Sequence, residues 1–343
     1  MNLKYDQVVG TGGIGVGMLF QSNINETLGR SESRLVELSS AKDYCKLHIV
    51  FHYIAAILSQ SLAVYPIGYV GDDANGKRLL AEMQEVGMDL TYIHVDEELP
   101  TDISICLQYP DKEGCNFTTA NGASQKVNIE YVHKCIEQLV VNNYSIVAAI
   151  PEVSVQSRIA MLRRGHEKGA FCALSMTVSE VDAFKEADIF SLCDLLAVNE
   201  EEAIAITGSQ TLPQQVIKDL YECVKDYNPN MLLLVTCGKL GAYSVSNGNV
   251  EYIPNMSVQV VNTTGAGDAC LGGVLAAIAM GIPFQKGISD SRFGQTPLAS
   301  AVELGTLCAG MAIECNDSIA KHVHYKSILE RIKKEGWDMR YGL

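Results

Sequence analysis

A doubly wound, mostly parallel α/β sheet, flanked by helices and carrying a small β lid, is the fold this sequence predicts. Three features predict it: short apolar runs rich in β-branched residues, amphipathic stretches that take turns with them, and two segments that interrupt the alternation. Residues 5–10, 63–68, 145–150, 170–175, 195–198 and 232–236 are largely apolar, as strands buried on both faces are. Between them, 76–86, 127–140, 155–168, 200–207 and 212–226 place apolar residues at helical spacing. A helix joining successive strands returns the chain in the same direction, so the sheet is parallel and covered on both faces. Such a sheet binds its ligands beyond the carboxyl ends of its strands.

The interruptions predict the lid. Residues 21–46 are polar, whereas 99–119 alternate in the β manner, with Ile103, Ile105 and Leu107 on one side and Ser104 and Cys106 on the other. Segments about 16–46 and 99–120 are therefore expected to fold over the ligand site. No internal repeat, low-complexity tract or linker divides the chain, so residues 1–343 are expected to form one domain with its lid.

Composition narrows the function. Of 343 residues, 48% are hydrophobic and 19% charged, and no apolar run approaches the ~20 residues of a membrane helix, so no membrane role is expected. The opening MNLKYDQVVGTGG lacks the basic start, apolar stretch and cleavage site of a secretory signal, which points to the cytoplasm. Eleven scattered cysteines, many in apolar segments, read as reduced and buried. There is no C-x-x-C pair, the histidines show no metal-ligand spacing with the cysteines, and His322 and His324 read as surface residues. A net charge of −14 disfavours nucleic acid and favours a small-molecule partner. Any anionic substrate has to be drawn in by a local site.

The most informative segment is 258–281, VQVVNTTGAGDACLGGVLAAIAMG. A β-type run ends at Asn262, a Thr-Thr-Gly-Ala-Gly turn follows, and a small-residue helix runs from about Asp268 to Gly281, with Pro283 beyond it. Unpaired N–H groups at a helix N-terminus, reinforced by its dipole, form an anion site, and Gly265 and Gly267 let the backbone approach a phosphate closely. A carboxylate there, Asp268, would ordinarily repel the anion. A base that takes the proton of an attacking hydroxyl gives it a purpose, while the N–H groups of Gly265, Ala266 and Gly267 stabilise the transferring phosphoryl group. The plain alternative is a helix-start carboxylate contributing a few tenths to ~1 kcal/mol; the preceding turn favours the base.

TTGAGD before a small-residue helix resembles the signature of the ribokinase-like (PfkB) carbohydrate kinases. The resemblance implies their fold and their reaction, transfer of the terminal phosphate of ATP to a hydroxyl of a sugar or sugar-like acceptor. It makes the turn from Thr264 to Gly267 the anion hole and Asp268 the base. Further matches follow in order: IGYVGDDANG at 67–76 resembles the family's G-x-V-G-x-D-x-x-G turn, and LAVNEEEA at 196–203 its N-x-x-E element, at Asn199 and Glu202. LLVTCGKLG at 233–241 is similar to the segment flanking the nucleotide, at Thr236, Gly238 and Gly241. The resemblance implies that Asn199 and Glu202 order magnesium and phosphate, and such a pair at a strand's end suits a magnesium shell completed by water. A solvated acidic helix start is the alternative for 200–202. The signature usually begins with Asp where this chain has Asn262, which bears on the monovalent cation some members bind there.

Near the N-terminus the pattern is less regular. Gly10 to Gly15 fit the dinucleotide fingerprint G-x-G-x-x-G, but 20–34 is polar and no second strand follows before residue 46, which argues against a dehydrogenase. Gly12 and Gly13 are expected instead to let a ligand or the lid lie close to the first strand's end. Many family members read sugar hydroxyls with an Asp that falls at Gly15 here, and their G-G-x-x-x-N element is replaced by DYCKLHIVFHY at 43–53. Lys46, His48 and His52 are candidates for reaching the substrate, the two histidines sharing one helix face; the alternative is that they are ordinary helix residues. Arg30 and Arg34 either clamp an anion or solvate the lid. The expected protein is thus an ATP- and magnesium-dependent kinase of a sugar-like acceptor, compatible with a homodimer through the lid. A nucleoside or vitamin kinase on the same fold, or a non-catalytic ligand-binding relative, is the alternative.

Overall fold

Residues 3–58, 61–111, 114–209, 213–287, 293–294 and 297–340 are described by a computed structural model. Its strands are β1 (Gln7–Thr11), β2 (Gly15–Gln21), β3 (Glu37–Leu38), β4 (Asp43–Tyr44), β5 (Ala63–Gly71), β6 (Ile93–Asp96), β7 (Asp102–Gln108), β8 (Gly114–Thr118), β9 (Ser145–Ala149), β10 (Phe171–Ser175), β11 (Leu195–Asn199), β12 (Leu232–Thr236), β13 (Ala242–Ser246) and β14 (Asn249–Ile253). Its helices are α1 (Lys46–Leu58), α2 (Ala74–Glu85), α3 (Ile129–Gln138), α4 (Val155–Glu167), α5 (Val181–Glu186), α6 (Glu200–Thr207), α7 (Pro213–Val224), α8 (Ala266–Ala279), α9 (Ala301–Ala312) and α10 (Tyr325–Lys334). The predicted strands and helices fall on these elements within a few residues. The expected start of the helix at 212–226, Leu212, lies outside the described residues.

The main sheet runs β14-β13-β12-β11-β10-β9-β1-β5-β6, parallel from β12 to β6, with β13 and β14 as an antiparallel hairpin at one edge. Alternation along β1 explains its central place: Val8 enters the core that contains α1, α8 and α9, and Val9 the core on the opposite face with α4 and α7. From β1 the chain builds outward to β5 and β6, then crosses back to lay β9 on β1's other side. Such a reversal of strand order, here between β1 and β9, is where open parallel sheets bind their ligands, beyond the strands' carboxyl ends.

A second sheet, β3-β2-β7-β8 with β4 also on β2, contains the two segments expected to form the lid; Lys112 and Glu113 lie outside the described residues. Strands β2 and β7 are parallel and in register from Gly15↔Asp102 to Gln21↔Gln108, so paired residues share a face. One face carries Met18, Ile105, Phe117 and Leu38 and is exposed, with Phe117 and Leu38 each at 60%. The other carries Gly17, Ser104, Asp43, Asn116 and Thr118. On the polar side Ser104 and Asp43 are buried and Asn116 is exposed; on the apolar side Ile105 and Phe117 are exposed and Ile103 packs against the core.

One predicted element is corrected. Residues 258–262 form no strand; the amides of Val261 and Asn262 donate instead to Ile313 O, just past α9, at 2.8 and 3.3 Å. Their β-branched pattern fits an extended segment, but their partner is a helix end. No described helix is long and apolar enough to cross a membrane. All eleven cysteines are free, most of them buried.

Candidate active site

Two helix N-termini converge beyond the carboxyl edge of the main sheet. At the first, Gly265 has φ 79°, and a Cβ on it would lie 2.7 Å from Ser318 O, so the turn before α8 requires glycine. Asn262, buried, pins this turn: its Oδ1 accepts from Thr264 N at 3.0 Å and its Nδ2 donates to Asn316 O at 2.7 Å. Ala266 N donates to Thr263 O at 3.2 Å. The amides of Gly267 and Asp268 have no protein acceptor among the described residues. Of the expected trio, Ala266 N is thus committed within the turn, whereas Gly265 N, like Gly267 N, has no acceptor among the described residues, and Asp268 N adds a further donor.

Asp268 follows, its side chain 16% exposed, with Lys46 Nζ 3.9 Å from its Oδ1. Lys46 opens α1, the second helix. Burial raises the Asp268 carboxyl above its ordinary range, and Lys46 partly offsets this. The Asp268 charge in turn is the main reason the Lys46 ammonium is raised, with burial opposing it.

Glu152 joins this pair. It follows β9 in the left-handed region, φ 79°, a conformation that costs a residue other than glycine free energy and recurs at functional sites. Its Oε2 accepts from Lys46 N at 2.9 Å, and its Oε1 lies 3.5 Å from Thr118 Oγ1 on the inner face of the second sheet. Burial pushes its pKa up to about 7, against the pull of Lys46. A Cβ on Gly13 would sit 2.5 Å from Glu152 Cβ, so what Gly13 admits is this side chain. Gly12 likewise admits Ile150 and Leu47, by packing. The two glycines make room for protein, where a ligand or lid was expected.

Asn199 and Glu202 close the start of α6 reciprocally: Glu202 N donates to Asn199 Oδ1 and Asn199 N to Glu202 Oε2, each at 2.8 Å. Glu202 is buried, its pKa pushed up to about 7 by that burial, and it feels the charges of Lys46 and Asp268. It is therefore a capping residue turned toward the centre. Among the described residues no group of three or more His, Cys, Asp or Glu is arranged to hold a metal directly. Thr236, at the end of β12, has its Oγ1 3.8 Å from where a Gly267 Cβ would be. Gly238 and Gly241 both have positive φ, and Asn255 Nδ2 donates to Gly238 O at 2.7 Å, tying this turn to the segment that leads to Asn262.

Other candidates lie elsewhere. His48 and His52 follow Lys46 by two and six residues, roughly 200° and 240° around the helix, and face away from Asp268. His48 is packed edge-on to Tyr44, and both imidazoles are buried and held neutral, their pKa lowered mainly by that burial. Their shared face was read correctly, but it meets Tyr44 and the Glu82 side of the fold. Arg34 pairs with Glu32, and Arg30 is exposed; neither reaches the centre. Two residues were missed, Glu152 and Asp43. Asp43 is 6% exposed, yet its charge acts on Lys46 and on Asp268. A proline–acid pair directly after a buried strand was the available signal for Glu152.

A family profile described as "pfkB family carbohydrate kinase" matches residues 54–323. A fructokinase of Escherichia coli is 26% identical over 266 residues, covering 72% of this chain and 78% of that protein. Among solved structures, a ribokinase from Giardia lamblia superposes with TM-score 0.78 at 15% identity, covering 95% of this chain and 99% of the other. A protein from E. coli, described provisionally as ribokinase II and solved in complex with ATP and Mg2+, gives TM-score 0.70 at 15% identity, covering 96% and 99%. The profile begins at residue 54, after the stretch holding Gly12, Asp43 and Lys46.

Proposed function

The chain belongs to the pfkB family of carbohydrate kinases, and from that premise we propose that Asp268 is the base of an ATP-dependent phosphotransferase acting on a hydroxyl of a sugar or sugar-like molecule. One observation carries this reading: a carboxylate 16% exposed beside amides with no acceptor among the described residues, those of Gly265, Gly267 and Asp268 itself, with the partly exposed ammonium of Lys46 3.9 Å away. The amides receive the equatorial oxygens of the transferring phosphoryl group, where charge builds in the transition state. Asp268 takes the acceptor's proton as its oxygen attacks. Lys46 favours the ionised form of the carboxyl against the effect of burial and offsets the negative charge gathered at the centre.

ATP lies, on this reading, along the Thr236, Gly238 and Gly241 turn and the Thr264 turn, as the likeness to the ATP-bound E. coli protein supports. A magnesium ion fits held through water: Asn199 and Glu202 are largely spent on each other, and the remaining carboxylate capacity of Glu202 suits a cation that keeps several waters. When bound it neutralises phosphate charge. The second sheet closes as a lid, excluding water and so limiting ATP hydrolysis. Its outer face of Met18, Leu38, Ile105 and Phe117 fits a second copy of the chain, and the free thiols fit a cytoplasmic setting.

Asp268→Asn is the test. Turnover should fall by about a thousandfold or more while ATP affinity stays within about twofold; a variant that keeps its turnover would remove Asp268 as base.

A further inference from the structure

Strand β4 places Asp43 opposite Gly17 on the covered face of the second sheet. A Cβ built on Gly17 would overlap the Asp43 carboxylate, so the space a β2 side chain would fill is filled from the neighbouring strand. Gly15 has no room for a side chain either: its Cβ would meet Asp102 O at 2.5 Å and Cys45 Sγ at 2.8 Å. We propose that Asp43 binds the acceptor's hydroxyls, in the place left by Gly15 and Gly17, and that with Glu152 it selects an uncharged polyhydroxy acceptor over sugar acids and sugar phosphates. This rests on the kinase assignment above.

The carboxylate is fixed and central. Its Oδ1 accepts from Tyr44 N at 2.9 Å, which holds its orientation. It is 6% exposed, stands opposite Gly17 of β2, and its charge acts on Lys46 and Asp268 and on Cys106 of the second sheet. That sheet presents groups that bind polyols: Ser104 Oγ is 2.6 Å from Asn116 Oδ1, and Thr118 Oγ1 approaches Glu152. Hydroxyls donate strongly to a buried carboxylate and relieve its desolvation. Asp43, Glu152, Glu202 and Asp268 all act on the one ammonium of Lys46. An acceptor bearing its own carboxylate or phosphate would add a like charge to this poorly screened group, whereas a neutral polyol brings only donors.

Isothermal titration of the full chain with D-fructose and D-ribose, set against D-gluconate, D-fructose 6-phosphate and D-ribose 5-phosphate, tests this. Wild type, Asp43→Asn and Asp43→Ser are compared, each first checked for an intact thermal transition. At least one neutral sugar should bind, its anionic counterpart about 100-fold more weakly. Either substitution should weaken the neutral sugar roughly 10- to 100-fold, the worth of a charged hydrogen bond. Equal or tighter binding of an anionic sugar, no binding of either neutral sugar, or both variants within about twofold of wild type overturns the proposal. Neutral-sugar binding without sugar-dependent ADP release from magnesium-ATP leaves Asp43 in place and removes the kinase assignment instead.

Discussion

Lys46 Nζ stands 3.9 Å from Asp268 Oδ1, and each residue belongs to the first turn of its own helix. A cation at a helix N-terminus is opposed by the dipole, whereas a carboxylate there is favoured. The lysine's charge is therefore stabilised at an unfavourable position by its partner, the pairing on which the proposed base relies. Lys46→Met should lower kcat by about 100-fold or more, in line with other lost electrostatic contacts to a developing charge.

The same substitution fixes the sign of a pH effect. Asp268 must be ionised to act, and its pKa is already raised by burial, with Lys46 holding it down. Without Lys46 it rises further, so the acidic limb of the kcat–pH profile should move to higher pH. A profile of unchanged position would show that the two charges do not communicate.

How much of this is legible in the sequence depends on distance along the chain. Asp268, its turn and helix form one contiguous stretch whose local chemistry declares an anion site. Asn199 and Glu202 are similarly local, though their mutual capping means sequence alone cannot separate structural from functional use. Asp43 becomes central only through the pairing of β4 with Gly17, and Glu152 only because β9 lies beside β1, both products of tertiary register. His48 and His52 show the converse limit: their spacing declares a shared face but not which neighbour that face meets.

Gly13 tests how Glu152 is placed. Gly13→Ala would set a methyl group 2.5 Å from Glu152 Cβ and 2.8 Å from its Oε2, backed by a strained backbone with little freedom to yield. Glu152 should be displaced from Lys46 N and Thr118. Acceptor kcat/KM should fall by about tenfold or more, with ATP affinity little changed. An equal loss of ATP affinity would point to general damage.

Glu152 also links stability to pH. In the folded chain its pKa is about 7 against an ordinary 4.5. Between these values the folded state holds a proton that the unfolded state has released, so stability falls as pH rises through this window and levels off above it. Glu152→Gln, which keeps an acceptor for Lys46 N, removes that loss. In the absence of ligands its Tm should match wild type near pH 5 and exceed it by about 3 °C at pH 8; a difference independent of pH would contradict the assigned burial.

Asn262 predicts how the enzyme responds to monovalent cations. Its amide donates to Asn316 O and accepts from Thr264 N, so both ends are satisfied within the protein. An Asp at this position would direct a carboxylate at a carbonyl oxygen, a repulsion that a bound cation relieves by bridging the two. The native amide does that bridging with its own N–H. Turnover of the wild type should therefore stay within about twofold when potassium is replaced by tetramethylammonium, because no buried oxygen pair is left uncompensated. Asn262→Asp should acquire potassium dependence of about tenfold or more, since the turn before Asp268 then orders only with the cation bound. A wild type that needs potassium as strongly as the variant would show that the amide does not stand in for the ion.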